Sequence, residues 1–241
     1  MNSVADAPLV LRDSQDGIVT LTLNRGARFN PLSMEMIAAL QLEIDRLAGE
    51  RTARVLVLAG AGRGFCAGHD LKEMRAHRDD ESWGRKLFDD CSRLMMGLTR
   101  LPQPVIAKVH GIATAAGCQL VSMCDVAIAA EDSRFALPGV NVGVFCSTPA
   151  VGVARSIGRK RALEMLFTGE AIDAQTALDW GLINRAVSGA DLDAEVASLA
   201  ARIAAHSPAV VSLGKQAFYR QIEQSMQAAY VDTGGAMACN L

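Results

Sequence analysis

Two glycine-containing segments carry the residues that could do chemistry. Residues 60–70 read GAGRGFCAGHD and residues 111–125 read GIATAAGCQLVSMCD, and each follows an apolar run of strand length. Small residues at the start of a helix leave backbone N–H groups free, and the helix dipole favours negative charge there. If the two segments converge, their amides could stabilise an oxyanion. For residues 60–70 alone, an ordinary glycine turn explains the pattern equally well.

The glycines of the first segment do not fit a dinucleotide-binding fingerprint. That fingerprint has G-x-G-x-x-G spacing and an acidic residue about twenty positions further on. Here the spacing is G-x-G-x-G, and no clear strand ends in an acidic residue at the required distance. We therefore expect no nicotinamide or flavin dinucleotide at this loop.

Strands and helices alternate through the first part of the chain, where they would position both segments. Apolar patterns predict strands at 17–24, 54–60, 104–110 and 125–130, with helices at 34–49, at 83–101 and between the last two strands. This order predicts right-handed crossovers and a mostly parallel sheet. From about residue 150 helices dominate, at 159–167, 173–180, 191–206 and 208–230, with one short strand at 183–187. We predict an α/β core over residues 1–187 and a helical C-terminal region over 188–241.

The composition excludes several classes of function. The chain has 241 residues, is 50% hydrophobic and carries 24 basic against 26 acidic residues, so it can bury a large core and a nucleic-acid partner is not expected. Its six cysteines show no metal-ligand spacing, which indicates free thiols. The sequence shows no secretory signal and no membrane-spanning run, so we expect a cytoplasmic protein without a membrane partner.

Four longer segments resemble the enoyl-CoA hydratase/isomerase, or crotonase, family in order and spacing. They cover residues 23–33 (LNRGARFNPLS), 64–74 (GFCAGHDLKEM), 104–144 and 161–187, so the resemblance extends over nearly the whole chain. Within the family, the phrases HDLKE, ATAAGCQL and FCSTP are similar to the enoyl-CoA hydratase domain-containing protein 3 group.

The resemblance implies an α/β fold, a crotonase-like spiral of ββα units with a helical C-terminal trimerisation region. It also implies a homotrimer or hexamer and a place in fatty acid metabolism. Relatives of this kind continue into a further helix beyond Leu241. Whether the C-terminal region is complete is therefore left open.

The same resemblance implies where an acyl-CoA or enoyl-CoA ligand would bind. The backbone N–H groups of His69 and Ala116 would hold the thioester oxygen. Coenzyme A enters as part of the substrate, so no separate cofactor and no metal are expected. The residues that would lie near the coenzyme A portion are Arg25, Arg28, Ala67, Asp70, Leu71 and Lys72.

Two departures from the family pattern concern acid–base chemistry. Gln119 and Gly139 stand where family hydratases have the two glutamates that hold and activate water. An amide cannot exchange a proton near neutral pH, and glycine has no side chain, so efficient hydration is not expected. Two alternatives stay open: another reaction through a thioester enolate or tetrahedral anion, and a non-catalytic role as an acyl-CoA binder or partner in a mixed oligomer.

Cys146 is a candidate nucleophile. The naphthoate synthase branch of the family also has a glycine where this chain has Gly139, and it places a catalytic aspartate seven positions later, at the position of Cys146. A helix predicted to start near Pro149 could lower the pKa of the Cys146 thiol. A small buried apolar side chain is the simpler interpretation. The ring of His69 could act as its base or could equally well face solvent.

Overall fold

The computed structural model describes residues 7–239, which form nine strands and ten α-helices. The strands are β1 (Val10–Gln15), β2 (Ile18–Leu23), β3 (Val55–Gly60), β4 (Val105–Val109), β5 (Ile112–Thr114), β6 (Val126–Ala130), β7 (Arg134–Ala136), β8 (Ile172–Asp173) and β9 (Arg185–Val187). The helices are α1 (Met34–Ala48), α2 (Leu71–Ala76), α3 (Glu81–Arg100), α4 (Ala116–Met123), α5 (Ser147–Ile157), α6 (Arg159–Thr168), α7 (Ala174–Trp180), α8 (Leu192–Ala204), α9 (Pro208–Gln221) and α10 (Met226–Cys239).

The strands form two sheets. The larger sheet has the order β1-β2-β3-β4-β6-β9, in which only the β1–β2 hairpin is antiparallel. The mostly parallel sheet predicted from the strand–helix alternation is therefore confirmed. The smaller sheet has the order β5-β7-β8, and a bridge between Cys66 and Ala113 joins the loop after β3 to its edge. The two segments that could do chemistry thus run side by side.

The core lies on both faces of the larger sheet, which explains the continuous apolar sequence of β3. On one face, α1 and α3 pack their apolar stripes against the sheet, with side chains such as Met36, Leu40 and Leu94 fully buried. On the other face, α8 covers Val57 and its neighbours. Parallel strands buried on both faces require this kind of sequence because neither side of the strand meets water.

The last helices differ from the single helix predicted over 208–230. The chain forms two helices, α9 and α10, because the helix ends in a turn at Gln221, whose carbonyl accepts from the amide of Gln224 at 3.0 Å. Ser225 then starts the next helix, with its hydroxyl accepting from the Ala228 amide at 3.4 Å. No observation tests the predicted boundary at 187/188, and it stays a prediction.

A buried ion pair fastens α9 to the core. Lys215, whose side chain is only 6% exposed, lies 2.7 Å from the carboxylate of Asp125. It also donates to the carbonyls of Leu98 and Gln103, both at 2.9 Å. Tyr219 donates to the other oxygen of Asp125 at 2.7 Å. Each polar atom of this network has partners, as a buried charge requires.

Candidate active site

In the loop after β3, the backbone N–H of His69 makes no hydrogen bond within the described residues. Gly68 has a φ of +94°, a conformation that favours glycine. A parallel bridge joins His69 to Leu32: the Leu32 amide donates to the Gly68 carbonyl at 2.8 Å, and the Asp70 amide donates to the Leu32 carbonyl at 3.3 Å. Because the Gly68 carbonyl and the Asp70 amide make the two hydrogen bonds of this bridge, the N–H of His69 itself is not used in it. It has no protein acceptor within residues 7–239.

The first residue of α4 supplies a second such amide. Ala115, just before the helix, has φ 50° and ψ −118°, which is a strained conformation for a residue with a β-carbon. It is held there because its amide donates to the Ala136 carbonyl at 2.9 Å and its carbonyl accepts from the Gln119 amide at 3.0 Å. The N–H of Ala116 lies in the first turn, and the described part of the chain offers it no acceptor.

The segments that carry the two amides are joined by hydrogen bonds. Thr114 ties the segments together, since its amide donates to the Cys66 carbonyl and its hydroxyl to the Ala67 carbonyl, both at 3.0 Å. A β-carbon placed on Gly68 would lie 3.2 Å from the Ala116 nitrogen. Glycine at position 68 therefore allows the two segments to approach each other. Two free N–H groups at such a junction can donate to one oxygen atom.

Gln119 lies one turn along α4 from Ala116. Side chains three residues apart share a helix face and lean towards the helix N-terminus, so Gln119 leans towards the free amides. The residue is 4% exposed, and its Oε1 atom is buried without a hydrogen-bond partner in the described residues. A buried acceptor without a partner is costly, so this position is suited to a ligand that donates a hydrogen bond to Oε1.

Gly139 has no room for a side chain. A β-carbon there would lie 2.8 Å from the sulfur of Cys146 and would overlap the carbonyl oxygen of Val144. The loop over residues 144–146 therefore fills the space where a longer residue at 139 would begin. In this loop conformation, glycine is the residue that fits.

The alternative of a lowered pKa for Cys146 is not what the structure shows, and the simpler interpretation of a buried side chain agrees with it. Burial raises the pKa of the Cys146 thiol, and the backbone hydrogen bond from Gly139 opposes that shift only in part. Cys146 precedes α5, but its side chain makes no capping hydrogen bond to the first turn of that helix. The helix terminus therefore does not stabilise a thiolate, and the group is a neutral thiol near pH 7.

The ring of His69 faces the protein interior in part. It packs edge-on against Phe88 of α3, with ring centroids 5.5 Å apart and an interplanar angle of 88°. Its Nε2 atom is buried and has no hydrogen-bond partner in residues 7–239. Burial lowers the pKa of His69 from 6.5 to about 4, so the imidazole is neutral near pH 7. The alternative of a solvent-facing ring is therefore not what the structure shows.

The residues predicted to lie near coenzyme A surround the start of α2. Arg28 forms an ion pair with Asp70 at 2.7 Å, and Asp70 also accepts from the Lys72 amide at 3.0 Å. Asp70 thus caps α2 and holds Arg28. Leu71 and the side chain of Lys72 are exposed, whereas Ala67 is half-buried.

Arg25 and one further arginine complete this basic surface. Arg25 donates to the carbonyls of Ala7 at 3.0 Å and Asn24 at 2.7 Å, so part of its donor capacity is used on the backbone. Arg63, not predicted from the sequence, has its guanidinium 4.9 Å from the centre of the Phe29 ring. Its place in the glycine-rich loop is the signal that could have identified it.

Comparison with known proteins defines the class of this chain. Residues 13–237 match the family described as enoyl-CoA hydratase/isomerase. The chain is 46% identical to human enoyl-CoA hydratase domain-containing protein 3, mitochondrial, over 94% of this chain and 74% of that protein. It is 36% identical to 2,3-dehydroadipyl-CoA hydratase of Escherichia coli, over 89% of this chain and 83% of the other. The chain belongs to the enoyl-CoA hydratase/isomerase family.

Solved structures give the same result for the fold. An enoyl-CoA hydratase from Mycobacterium smegmatis superposes with a TM-score of 0.95 at 53% identity, over 97% of this chain and 91% of the other. Human enoyl-CoA hydratase domain-containing protein 3 superposes with a TM-score of 0.94 at 45% identity, over 97% and 92%. The predicted crotonase fold with a helical C-terminal region is confirmed.

The predicted cytoplasmic location is contradicted by these comparisons. Relatives from human, frog and mouse that are 44–46% identical to this chain carry the word mitochondrial in their names. Free cysteines are typical of reducing compartments in general. They do not separate one reducing compartment from another, which is why the prediction failed.

Within residues 7–239, no single helix is long and apolar enough to cross a membrane. The helices Leu192–Ala204 and Pro208–Gln221 have the length and apolar composition of a membrane span only when taken together, and a bend of 102° separates them.

Proposed function

We propose that this protein binds acyl-CoA thioesters and acts on them through a backbone oxyanion hole. The observation that carries the proposal is the junction of two unpaired amides, those of His69 and Ala116, at the meeting point of the loop after β3 and the start of α4. Donors fixed in this way stabilise negative charge that develops on a thioester oxygen, because they need no reorganisation during the reaction.

The coenzyme A portion would lie along the basic surface around α2. Arg28, Arg63 and Lys72 are exposed in part and lie beside the loop that carries the His69 amide. Arginine and lysine side chains are the usual partners of phosphate groups. The assembly expected from the family resemblance, a trimer or hexamer, and a place in fatty acid metabolism belong to the same proposal.

Efficient hydration is not part of the proposed activity. Gln119 cannot donate and retrieve a proton near pH 7, and the space at Gly139 is closed by the Cys146 sulfur. Each general acid or base contributes about a hundred- to ten-thousandfold to a rate. A chain that lacks both acid–base side chains keeps the stabilisation of the oxyanion by backbone amides. It loses the rate gain from proton transfer.

A non-catalytic acyl-CoA-binding protein is the second candidate function. It is favoured by one observation, the buried and unpaired Oε1 of Gln119, since a ligand that donates a hydrogen bond could satisfy that atom without reacting. Turnover of any acyl-CoA would exclude this candidate.

Infrared spectroscopy of butyryl-CoA labelled with ¹³C at the thioester carbonyl tests the oxyanion hole without requiring turnover. Two hydrogen bonds to the carbonyl oxygen weaken the C=O bond, so we expect its stretching frequency to fall on binding. Calorimetry on the same sample gives the affinity. Binding with an unchanged carbonyl frequency would contradict the oxyanion hole, and absence of binding would contradict the acyl-CoA assignment. A crotonyl-CoA hydration assay on the same protein should show a rate near background.

A further inference from the structure

Asn30 is a fully buried polar residue that joins its own loop to the loop after β3. Its side chain is 0% exposed. The Nδ2 group donates to the carbonyls of Ala61 at 2.9 Å, Gly64 at 2.9 Å and Phe65 at 3.0 Å. The Oδ1 atom accepts from the Arg25 amide at 2.8 Å. A buried amide whose donors and acceptor all have partners favours one arrangement of the two loops over all others.

The backbone at Asn30 has a conformation that few residues adopt. Its φ is +52°, in the left-handed region, and that of Phe29 is +59°. Asparagine occupies this region more readily than most residues because its short polar side chain can bond locally. The loop after β3 leaves room for it, since a β-carbon on Gly60 would lie 2.9 Å from the Asn30 Nδ2 atom. Such strain persists only where the surroundings hold it, and the side-chain bonds of Asn30 do so.

The residue two positions after Asn30 sets the direction of the His69 amide. The Leu32 amide donates to the Gly68 carbonyl at 2.8 Å. That carbonyl and the His69 N–H belong to one planar trans peptide group, so they point in opposite directions. The bond from Leu32 therefore fixes where the His69 N–H points. The place of Leu32 depends in turn on the conformation of Asn30.

The other amide of the candidate site does not depend on Asn30. The Ala116 N–H belongs to the first turn of α4. Its orientation follows from the contact of the Ala115 amide with the Ala136 carbonyl at 2.9 Å. Loss of the Asn30 side chain would thus disturb one of the two donors and leave the second in place.

Resting on the proposed function, we infer that Asn30 is a positioning residue that aligns the His69 N–H with the thioester oxygen. Because its side chain is 0% exposed, Asn30 does not contact the ligand itself. It acts through Leu32 and the loop after β3, which it holds in place before a ligand arrives. Hydrogen bonds weaken steeply below an N–H···O angle of about 120°, so rotation of one peptide group is enough to remove a donor.

Infrared spectroscopy of bound butyryl-CoA, labelled with ¹³C at the thioester carbonyl, measures this alignment, and calorimetry on the same samples gives the affinity. Asn30→Gly removes the side chain and keeps a residue that tolerates the left-handed conformation. It should lose about half of the wild-type downshift, because one of two donors is lost, while the affinity falls about tenfold or less. Asn30→Asp keeps the volume and the acceptor for the Arg25 amide but places an oxygen against three carbonyls, and it should lose a similar share.

Asn184→Gly is the matched control. The Asn184 side chain accepts from the Ala127 amide at 2.8 Å on β6, which β4 separates from β3, so this variant should keep the full downshift. A folded Asn30 variant that is less stable to heat but keeps the wild-type carbonyl frequency would overturn the inference and leave the proposed function standing. If neither Asn30 variant folds, Asn30 supports the fold as a whole and the specific role is overturned. If wild-type protein binds no butyryl-CoA, or binds it without a downshift, the proposed function itself fails.

Discussion

At the scale of single residues, backbone strain lies next to the proposed oxyanion hole. Ala115 adopts φ 50°, a region that residues with a β-carbon rarely occupy. Such strain costs about 1–3 kcal/mol and persists only where the surroundings hold it. Here the carbonyl of Ala136 and the amide of Gln119 do so. The orientation of the next amide, that of Ala116, is fixed by the same contacts.

Ala115→Gly should therefore stabilise the protein. Relief of strain outweighs the loss of about 0.5–1 kcal/mol that glycine brings through the flexibility of the unfolded chain. We expect a net gain of about 1 kcal/mol in the free energy of unfolding, measured with urea. Ala150→Gly in α5 provides the comparison, because that alanine lies in a helix and its replacement should cost about 1 kcal/mol. Destabilisation by Ala115→Gly would show that the alanine is not strained.

Gly139 and Gly84 form a second test pair. Gly139→Ala should destabilise by about 2 kcal/mol or more, because the new β-carbon meets the Val144 carbonyl and the Cys146 sulfur. Gly84 lies in α3 with nothing within 4 Å of a β-carbon, so Gly84→Ala should stabilise by about 1 kcal/mol. Thermal unfolding of both variants distinguishes close packing from a general effect of glycine replacement.

The buried imidazole of His69 should make stability depend on pH. Its pKa falls from 6.5 in the unfolded chain to about 4 in the folded chain because burial disfavours the charged ring. Between these values the unfolded chain binds the proton more tightly, so the stability from His69 is present above pH 6.5 and lost as pH falls towards 4.

His69→Phe removes this dependence and keeps an aromatic side chain beside Phe88. Relative to the variant, wild-type protein should lose about 2 kcal/mol between pH 6.5 and 4. Urea unfolding at several pH values measures the difference, and the carboxylates that titrate in the same range cancel because both proteins share them. Parallel curves for the two proteins would place the His69 ring in solvent.

At the scale of elements, the sequence predicted the strands and helices that are long enough to show an apolar pattern. The long strands β2, β3, β4 and β6 and the helices α1 and α3 lie where their apolar patterns placed them. Strands β5, β7 and β8 are two or three residues long, too short to show alternation. Their positions depend on pairing with distant segments, such as β5 with β7, so no local pattern could have located them.

The candidate site likewise has features that the sequence could predict and features that depend on distant contacts. Family resemblance could identify the positions of His69, Ala116, Gln119 and Gly139, but not the surroundings of their side chains. The burial of the His69 ring depends on Phe88, and the closed space at Gly139 depends on the loop that carries Cys146. The raised pKa of Cys146 follows from burial, which a helix start near Pro149 could not reveal.

The attachment of α9 is the element-scale contact with the largest expected effect. Lys215→Met would leave the carboxylate of Asp125 and two carbonyls without their buried cation. Removal of one partner from a buried pair costs about 3–5 kcal/mol. Lys108→Met is the matched control, because Lys108 pairs with Asp193, whose side chain is 84% exposed, and should cost about 1 kcal/mol or less. Similar losses for both variants, by urea unfolding, would show that the network is not a structural anchor.

At the scale of the whole molecule, α10 exposes more apolar surface than a stable monomer is expected to leave in water. Met226, Tyr230 and Val231 are 78%, 75% and 75% exposed, while α9 beneath them is fixed to the core by Lys215. Exposed apolar patches of this kind mark protein–protein contacts. Proteins of this family bind acyl-CoA and commonly form oligomers, so a second copy of the chain is the expected partner.

Tyr230→Glu should therefore shift the protein towards smaller species in analytical ultracentrifugation. A charge at the centre of a contact must be desolvated without a partner, and this opposes association. Leu42→Glu on α1 provides the control, since Leu42 is also exposed, at 68%, but lies on a different helix. We expect wild type and Leu42→Glu to sediment alike as trimers or hexamers and Tyr230→Glu to dissociate on dilution. A monomeric wild-type protein would instead mean that the apolar face of α10 contacts something other than another copy of this chain.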